Sequence, residues 1–205
     1  MKQTLLLAIA TLLLANCSSN TSSKEESTAV KQAAPTASRP AAALPPESVY
    51  QLPDTFQTQD KKPVVLTVLA GKPTVLAMVF TNCGYACPRL TDDMKAMEGK
   101  LQADAGRINF VLVSFDVARD TAEQLKKYAT DKELGQNWVL LHGPEDAVRT
   151  LSVLLNVQYE KNADGNFSHA NKILVLDKNG VPRFHQEGLG MNPDETIRKV
   201  KTLLN

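Results

Sequence analysis

Aromatic residues are scarce in this 205-residue chain: 5% in all, with one Trp, four Tyr and six Phe. The core must therefore be built mainly from aliphatic side chains. Charge of one sign is lacking as well. Lys and Arg number 23 against 22 Asp and Glu, a net charge of +1. That balance lacks the electrostatic footprint of a nucleic-acid binder, so no nucleic-acid partner is expected. No internal repeat occurs, which argues against a solenoid or an array. Long apolar runs are missing except at the start, where Leu5 to Ala15 is too short to cross a bilayer as a mature helix. Cysteine is limited to three residues, an odd number. What remains is enough chain for one ordinary domain with a real core.

The first residues, MKQTLLLAIATLLLANCSSN, pair a positive Lys2 with the apolar stretch and end in Leu14-Ala15-Asn16-Cys17. The segment resembles a bacterial lipoprotein signal. The resemblance implies cleavage before Cys17 and lipidation of that cysteine, although Asn16 departs from the usual Gly, Ala or Ser. The alternative is a plain secretory signal with an incidental cysteine. Residues 18–46 are rich in Ser, Thr, Ala and Pro and nearly free of large apolar side chains. They cannot bury enough surface to offset ordering. As a flexible coil they reach roughly 30 Å. The expected organisation is a signal peptide over 1–16, a lipidated Cys17 and tether over 17–46, and a globular domain over 47–205. With Cys17 carrying lipid, Cys83 and Cys87 are the two left over, and an oxidising exterior lets them form a disulfide.

Within the domain, PVVLTVL (63–69) reads as a strand after a turn. PTVLAMVF (73–80) is apolar on both faces and reads as a buried central strand. Leu90, Met94, Met97 and Leu101 mark one face of a helix. A second central strand spans 108–116. Asp120 with Glu123 predicts a capped helix start. WVLLHG gives a strand, and Pro144 opens the next helix. NKILVLDKNG and VPRFHQEG form a closing hairpin, followed by an amphipathic helix with Ile197, Val200, Leu203 and Leu204 inward. The pattern predicts an α/β, thioredoxin-like fold: an N-terminal hairpin and a central, mainly parallel sheet with helices on both faces.

Cys83 and Cys87 stand four apart, just beyond the strand 73–80, where ligands of such sheets gather. Pro88 suits a first helical position, which puts Cys87 at a helix N-terminus. Free N–H groups there favour a thiolate, the form that binds metals and attacks disulfides. A purely structural bridge is the weaker reading, because a loop this small constrains the unfolded chain little. Among three histidines, His142 ends a strand and His185 sits in the closing hairpin. His169 is different: it lies in a loop just before the strand from Lys172. In thioredoxin-like folds that position faces the active cysteines and is usually held by a cis-proline, yet no proline occurs between Gly165 and Val181. Two thiolates and an imidazole make a copper-type ligand set.

These residues resemble the Sco/SenC family of copper-binding, thioredoxin-like proteins. The matching segments are Cys83-Gly84-Tyr85-Ala86-Cys87-Pro88, the stretch VSFDVARDTAEQL with Asp116 and Asp120, and His169-Ala170 ahead of ILVLDKNG. Gly84, Val117 and Ala170 depart from the family's frequent Pro, Pro and Ser. The resemblance spans Tyr50 to the C-terminus. It implies copper, as Cu(I) or Cu(II), bound by Cys83, Cys87 and His169. It also implies Asp116 beyond the ligands as a supporting or partner-facing group; the other reading of Asp116 is a turn residue that caps the next segment. The implied role is a copper chaperone or assembly factor of the binuclear copper site of cytochrome c oxidase, by delivering copper or reducing that site's cysteines. The implied partners are that copper-site subunit or another cuproprotein, a periplasmic thiol reductant, and the membrane through the lipid anchor. The implied location is the periplasmic face of the membrane.

Two other readings stand beside it. One is a periplasmic thiol–disulfide oxidoreductase that uses Cys83 and Cys87 without copper. The other is a thiol peroxidase, since FTNCGY is superficially similar to glutathione peroxidases. Their downstream Gln and Trp motifs are not found, and Trp138 stands alone in a strand.

Overall fold

The structure is a computed structural model that describes residues 43–204. The expected signal peptide, Cys17 and most of the tether lie outside the described residues. In chain order the elements are β1 (Phe56–Thr58), β2 (Pro63–Val64), β3 (Thr74–Val79), α1 (Ala86–Leu101), β4 (Asn109–Ser114), α2 (Ala122–Asp131) and β5 (Trp138–His142). Next come α3 (Glu145–Leu154), β6 (Tyr159–Lys161), β7 (Phe167–His169), β8 (Lys172–Leu176), β9 (Pro182–Glu187) and α4 (Asp194–Thr202).

Seven strands form one sheet in the order β2-β1-β5-β4-β3-β8-β9. The three central strands β5, β4 and β3 run parallel. The flanks β1–β2 and β8–β9 pair antiparallel with them and with each other. The apolar run in β3 and β8 matches its setting: every residue of both strands is buried, which requires cover on both faces of the sheet. Leu90, Met94, Met97 and Leu101 of α1 are all buried, as their spacing predicts. Removing one such side chain, for example by Leu90→Ala, costs about 2–5 kcal/mol in a well-packed core. The layout is the thioredoxin-like one that the sequence predicts.

Three local expectations change. The segment 63–69 is a strand only at Pro63–Val64 and then winds into a 3-10 turn, Leu66–Leu69. Leu66 and Leu69 are buried while Val65 and Val68 are exposed, a three-residue period that fits this turn and not a strand. The cap of α2 is Thr121, whose hydroxyl accepts from the Gln124 N–H, because the Asp120 carboxylate is occupied elsewhere. The segment before β8 is not a loop: β6 and β7 form a separate two-stranded antiparallel hairpin that ends on His169.

Register explains why this hairpin matters. β8 lies antiparallel on β3 with Ile173 opposite Ala77. The start of β8 therefore sits beside the end of β3, where the cysteine segment begins.

Candidate metal centre

The cysteine side is built at the junction of β3 and α1. A turn from Phe80 to Cys83 leads into the helix, with the Cys83 N–H donating to the Phe80 carbonyl. Cys83 is half-buried and Cys87 has no exposed surface. Cys87 lies in the first turn of α1, and its backbone N–H donates to Cys83 Sγ at 3.4 Å. The helix end thus acts on the other thiol from the one expected. Burial opposes ionisation of Cys83, but the N–H groups of Cys87, Tyr85 and Ala86 together hold its pKa below the ordinary thiol value. Burial pushes the Cys87 thiol strongly upward, and the nearby Cys83 and Asp120 add to this; the Phe80 N–H, which donates to Cys87 Sγ at 3.3 Å, offsets it only in part. The free domain therefore pairs an accessible, acidic thiol with a buried, protonated one.

The histidine side arrives on β7. His169 Nδ1 lies 3.1 Å from the Ala170 carbonyl, which can only accept, so Nδ1 carries the proton. The Nε2 lone pair is then left facing Cys87 Sγ at 3.4 Å, where it accepts the thiol proton. The carbonyl fixes the tautomer that a metal ligand needs. An aromatic cluster surrounds the ring: Phe115 at 5.2 Å and Phe80 at 6.1 Å between centroids, with Phe167 against both. Burial there lowers the His169 pKa, the Ala170 carbonyl opposing, and so favours the neutral imidazole.

Cys83, Cys87 and His169 converge so that their ligand atoms all lie within 4.8 Å of one another, the one such group of three among the described residues. Two soft sulfurs and a neutral nitrogen, with Cys83 and His169 opening on a shared cleft beside Asn82, Tyr85 and Phe167, fit a thiophilic metal ion. A larger groove lies between β1–β2 and α2, but it contains none of these residues. The other histidines stay apart from the group: His142 bonds Gln57 on β1, and His185 lies on β9 beside Glu187.

Asp116 is 1% exposed and contacts none of the three donors; its carboxylate pairs with Arg119. Asp120, also 1% exposed, grips the cysteine segment directly. It accepts from the Thr81 N–H at 2.9 Å, the Thr81 hydroxyl at 2.5 Å and the Ser114 hydroxyl at 2.6 Å. Thr81 is two residues before Cys83, so Asp120 positions the loop and does not cap α2.

The SCO1/SenC family model matches residues 46–205. The chain belongs to the SCO1/SenC family. This SCO1/SenC chain is 38% identical over 158 residues to the SCO1 protein homolog of Bacillus subtilis (strain 168), covering 73% of this chain and 80% of that protein. Its fold matches a SCO1/SenC family lipoprotein from Bacillus anthracis str. Ames with a TM-score of 0.69 at 28% identity, covering 74% of this chain and 92% of the other. It also matches Bradyrhizobium japonicum ScoI with copper bound, at a TM-score of 0.63 and 23% identity, covering 73% and 96% of the two chains. At that identity the last likeness speaks for the fold alone.

Two features of this SCO1/SenC domain are absent from the sequence-based expectations. The hairpin β6–β7 carries its own signal, Asp164-Gly165 between two three-residue runs, and Gly165 adopts φ +81°, as such a turn requires. The grip of Asp120 on Thr81 has no local signal, because the partners are 39 residues apart.

Proposed function

We propose that this protein is a copper-binding assembly factor that holds copper between Cys83, Cys87 and His169. Its client would be the binuclear copper site of cytochrome c oxidase, which is the family's implied role, or another cuproprotein. The observation that carries the reading is the convergence of the two sulfurs and Nε2 within 4.8 Å. Bound copper would supply a transferable, redox-active ion to a client. The chain's own residues do the rest. Cys83 ionises more readily than an ordinary thiol, because the N–H groups around it outweigh its burial. Cys87 gives up its proton when an ion arrives, and His169 is neutral with its free lone pair inward. The half-buried Cys83 and the open cleft leave a path for ligand exchange with a client.

The thiol pair couples this to redox state. Cys83 and Cys87 can together lose two electrons and two protons to form a disulfide, and a disulfide offers no thiolate ligand. The reduced domain should therefore bind copper and the oxidised domain should not, with reduction restoring binding. Equal affinity in both forms, measured by titration with metal analysis, would remove the pair from the ligand set.

A second reading, a thiol–disulfide oxidoreductase without copper, is favoured by one specific observation. An accessible thiol of lowered pKa beside a buried protonated one is the asymmetry of a dithiol exchanger. Exchange with a periplasmic reductant would then be the main activity. Loss of copper binding with intact disulfide exchange in a His169→Ala variant separates the two.

The proposed setting is the periplasmic face of a membrane, with cleavage after residue 16, a lipid on Cys17 and residues 18–46 as the tether to the domain 47–205. Among the described residues no helix is long and apolar enough to cross a membrane. Cys17→Ser should release the protein from membranes or block its processing, as read by fractionation.

A further inference from the structure

The guanidinium of Arg119 touches both halves of the site. Nε pairs with the buried Asp116 carboxylate at the end of the β4 segment. Nη2 donates to the Gly165 carbonyl at 2.8 Å, in the turn of the hairpin that ends on His169. The same group lies 5.9 Å from the Phe80 ring, three residues before Cys83. Arg119 is 39% exposed, so it is not itself part of the packed core, and Asp116 has no other side-chain partner among the described residues.

The hairpin has few other polar ties. β6 and β7 pair only with each other and join neither edge of the main sheet. Besides the aromatic cluster, it is held by Ala170 N–H to the Gln158 carbonyl at its base, and by Arg149 on the Tyr159 ring and carbonyl. These polar ties lie at the open end, away from the turn. At the turn end, Phe167 packs on Phe80 and Phe115, and Arg119 is the polar link to the rest of the domain among the described residues.

We propose that Arg119 is the positioning residue for His169: a latch that ties the hairpin turn to the buried Asp116 and so holds the imidazole over the cysteines. Asp116 acts through Arg119, as the anchor of the latch. The inference rests on the copper reading for its consequence, but not for its existence. A planar fork can serve two acceptors in fixed directions at once; a lysine ammonium in its place keeps the charge opposite Asp116 but does not reproduce the fork.

The test uses Arg119→Lys, which leaves no buried charge unpaired. A companion, Arg119→Gln with Asp116→Asn, removes both charges together in case the first variant folds poorly. Amide hydrogen exchange is measured on the metal-free, reduced domain. Exchange in the hairpin, at Asn162, Gly165 and the β6–β7 ladder, should rise about tenfold, the size of one lost charge-assisted hydrogen bond, while the β3–β4 ladder keeps its protection. Unchanged hairpin protection would overturn the latch, and so would a uniform rise everywhere, which is what plain destabilisation gives. Cu(II) titration is the second arm. Arg119→Lys should weaken Cu(II) binding, and adding it to His169→Ala should produce no further loss. Additive losses would show that Arg119 does not act through His169. If the unmodified domain takes up no Cu(II), the copper reading fails while the exchange arm still decides the latch.

Discussion

The two sides of the site are built differently. The cysteine side grows out of the core. Cys87 is fully buried, Phe80 precedes the pair from the end of a wholly buried strand, and Asp120 accepts three hydrogen bonds that pin the segment. The histidine side stands on a short hairpin outside the main sheet, packed by rings and tied at its turn through Arg119. Both grips come from one stretch, Asp116 to Asp120, where β4 gives way to α2. The thiols are thus fixed by the fold itself, whereas the imidazole is placed by an attachment.

This contrast is open to direct attack. The largest effect should come from Asp120→Ala, which strips the partner from three donors, two of them side-chain hydroxyls. Leaving buried donors unpaired should cost about 2–4 kcal/mol of stability, read by denaturant unfolding. A loss below about 0.5 kcal/mol, the size of an ordinary surface change, would mean the cysteine segment is not pinned as described.

His169→Ala attacks the other side and should behave in the opposite way. The fold and the ability to form the Cys83–Cys87 disulfide should survive, while Cu(II) binding falls about 10–100-fold or more and its thiolate charge-transfer band shifts. Cu(I) should still bind through the two sulfurs, which suffice for a soft ion. His185→Ala, exposed on β9, should match the unmodified domain. The same His169→Ala variant probes a smaller, pH-linked effect. Burial holds the pKa of His169, and also of His142, below the ordinary histidine value. The unfolded chain then takes up protons first as the pH falls, so these histidines stabilise the metal-free fold fully above about pH 6.5 and progressively less below it. The fall in Tm between about pH 7 and 5 should shrink in His169→Ala without vanishing, because His142 remains. An unchanged slope would show that the imidazole is not desolvated by Phe80 and Phe115.

Much of the fold and site is legible in the chain because the signals are local. The unbroken apolar run of β3, the spacing of Leu90, Met94, Met97 and Leu101, and the cysteines beyond a strand end each depend on residues close in sequence. The missing proline before β8 points to His169, and the fold brings its Nε2 to 3.4 Å from Cys87. Where local signals compete, they mislead. Asp120 and Glu123 look like a helix cap, yet Thr81 and Ser114 take the Asp120 carboxylate. The helix end at Cys87 suggests an ionised Cys87, yet burial raises that thiol and the N–H groups serve Cys83.

The sequence by itself determined the central run of strands and helices from β3 to α3, the closing β8–β9–α4, the placing of the two cysteines beyond the end of β3, and the family, because periodicity and motif spacing are properties of neighbouring residues. Tertiary structure alone decided which thiol is acidic, which imidazole nitrogen is free, and that Asp120 and Arg119 hold the two halves of the site. Those outcomes depend on burial and on partners 39 and 46 residues away, Thr81 for Asp120 and Gly165 for Arg119. Desolvation and hydrogen-bond geometry exist only once the chain has closed on itself.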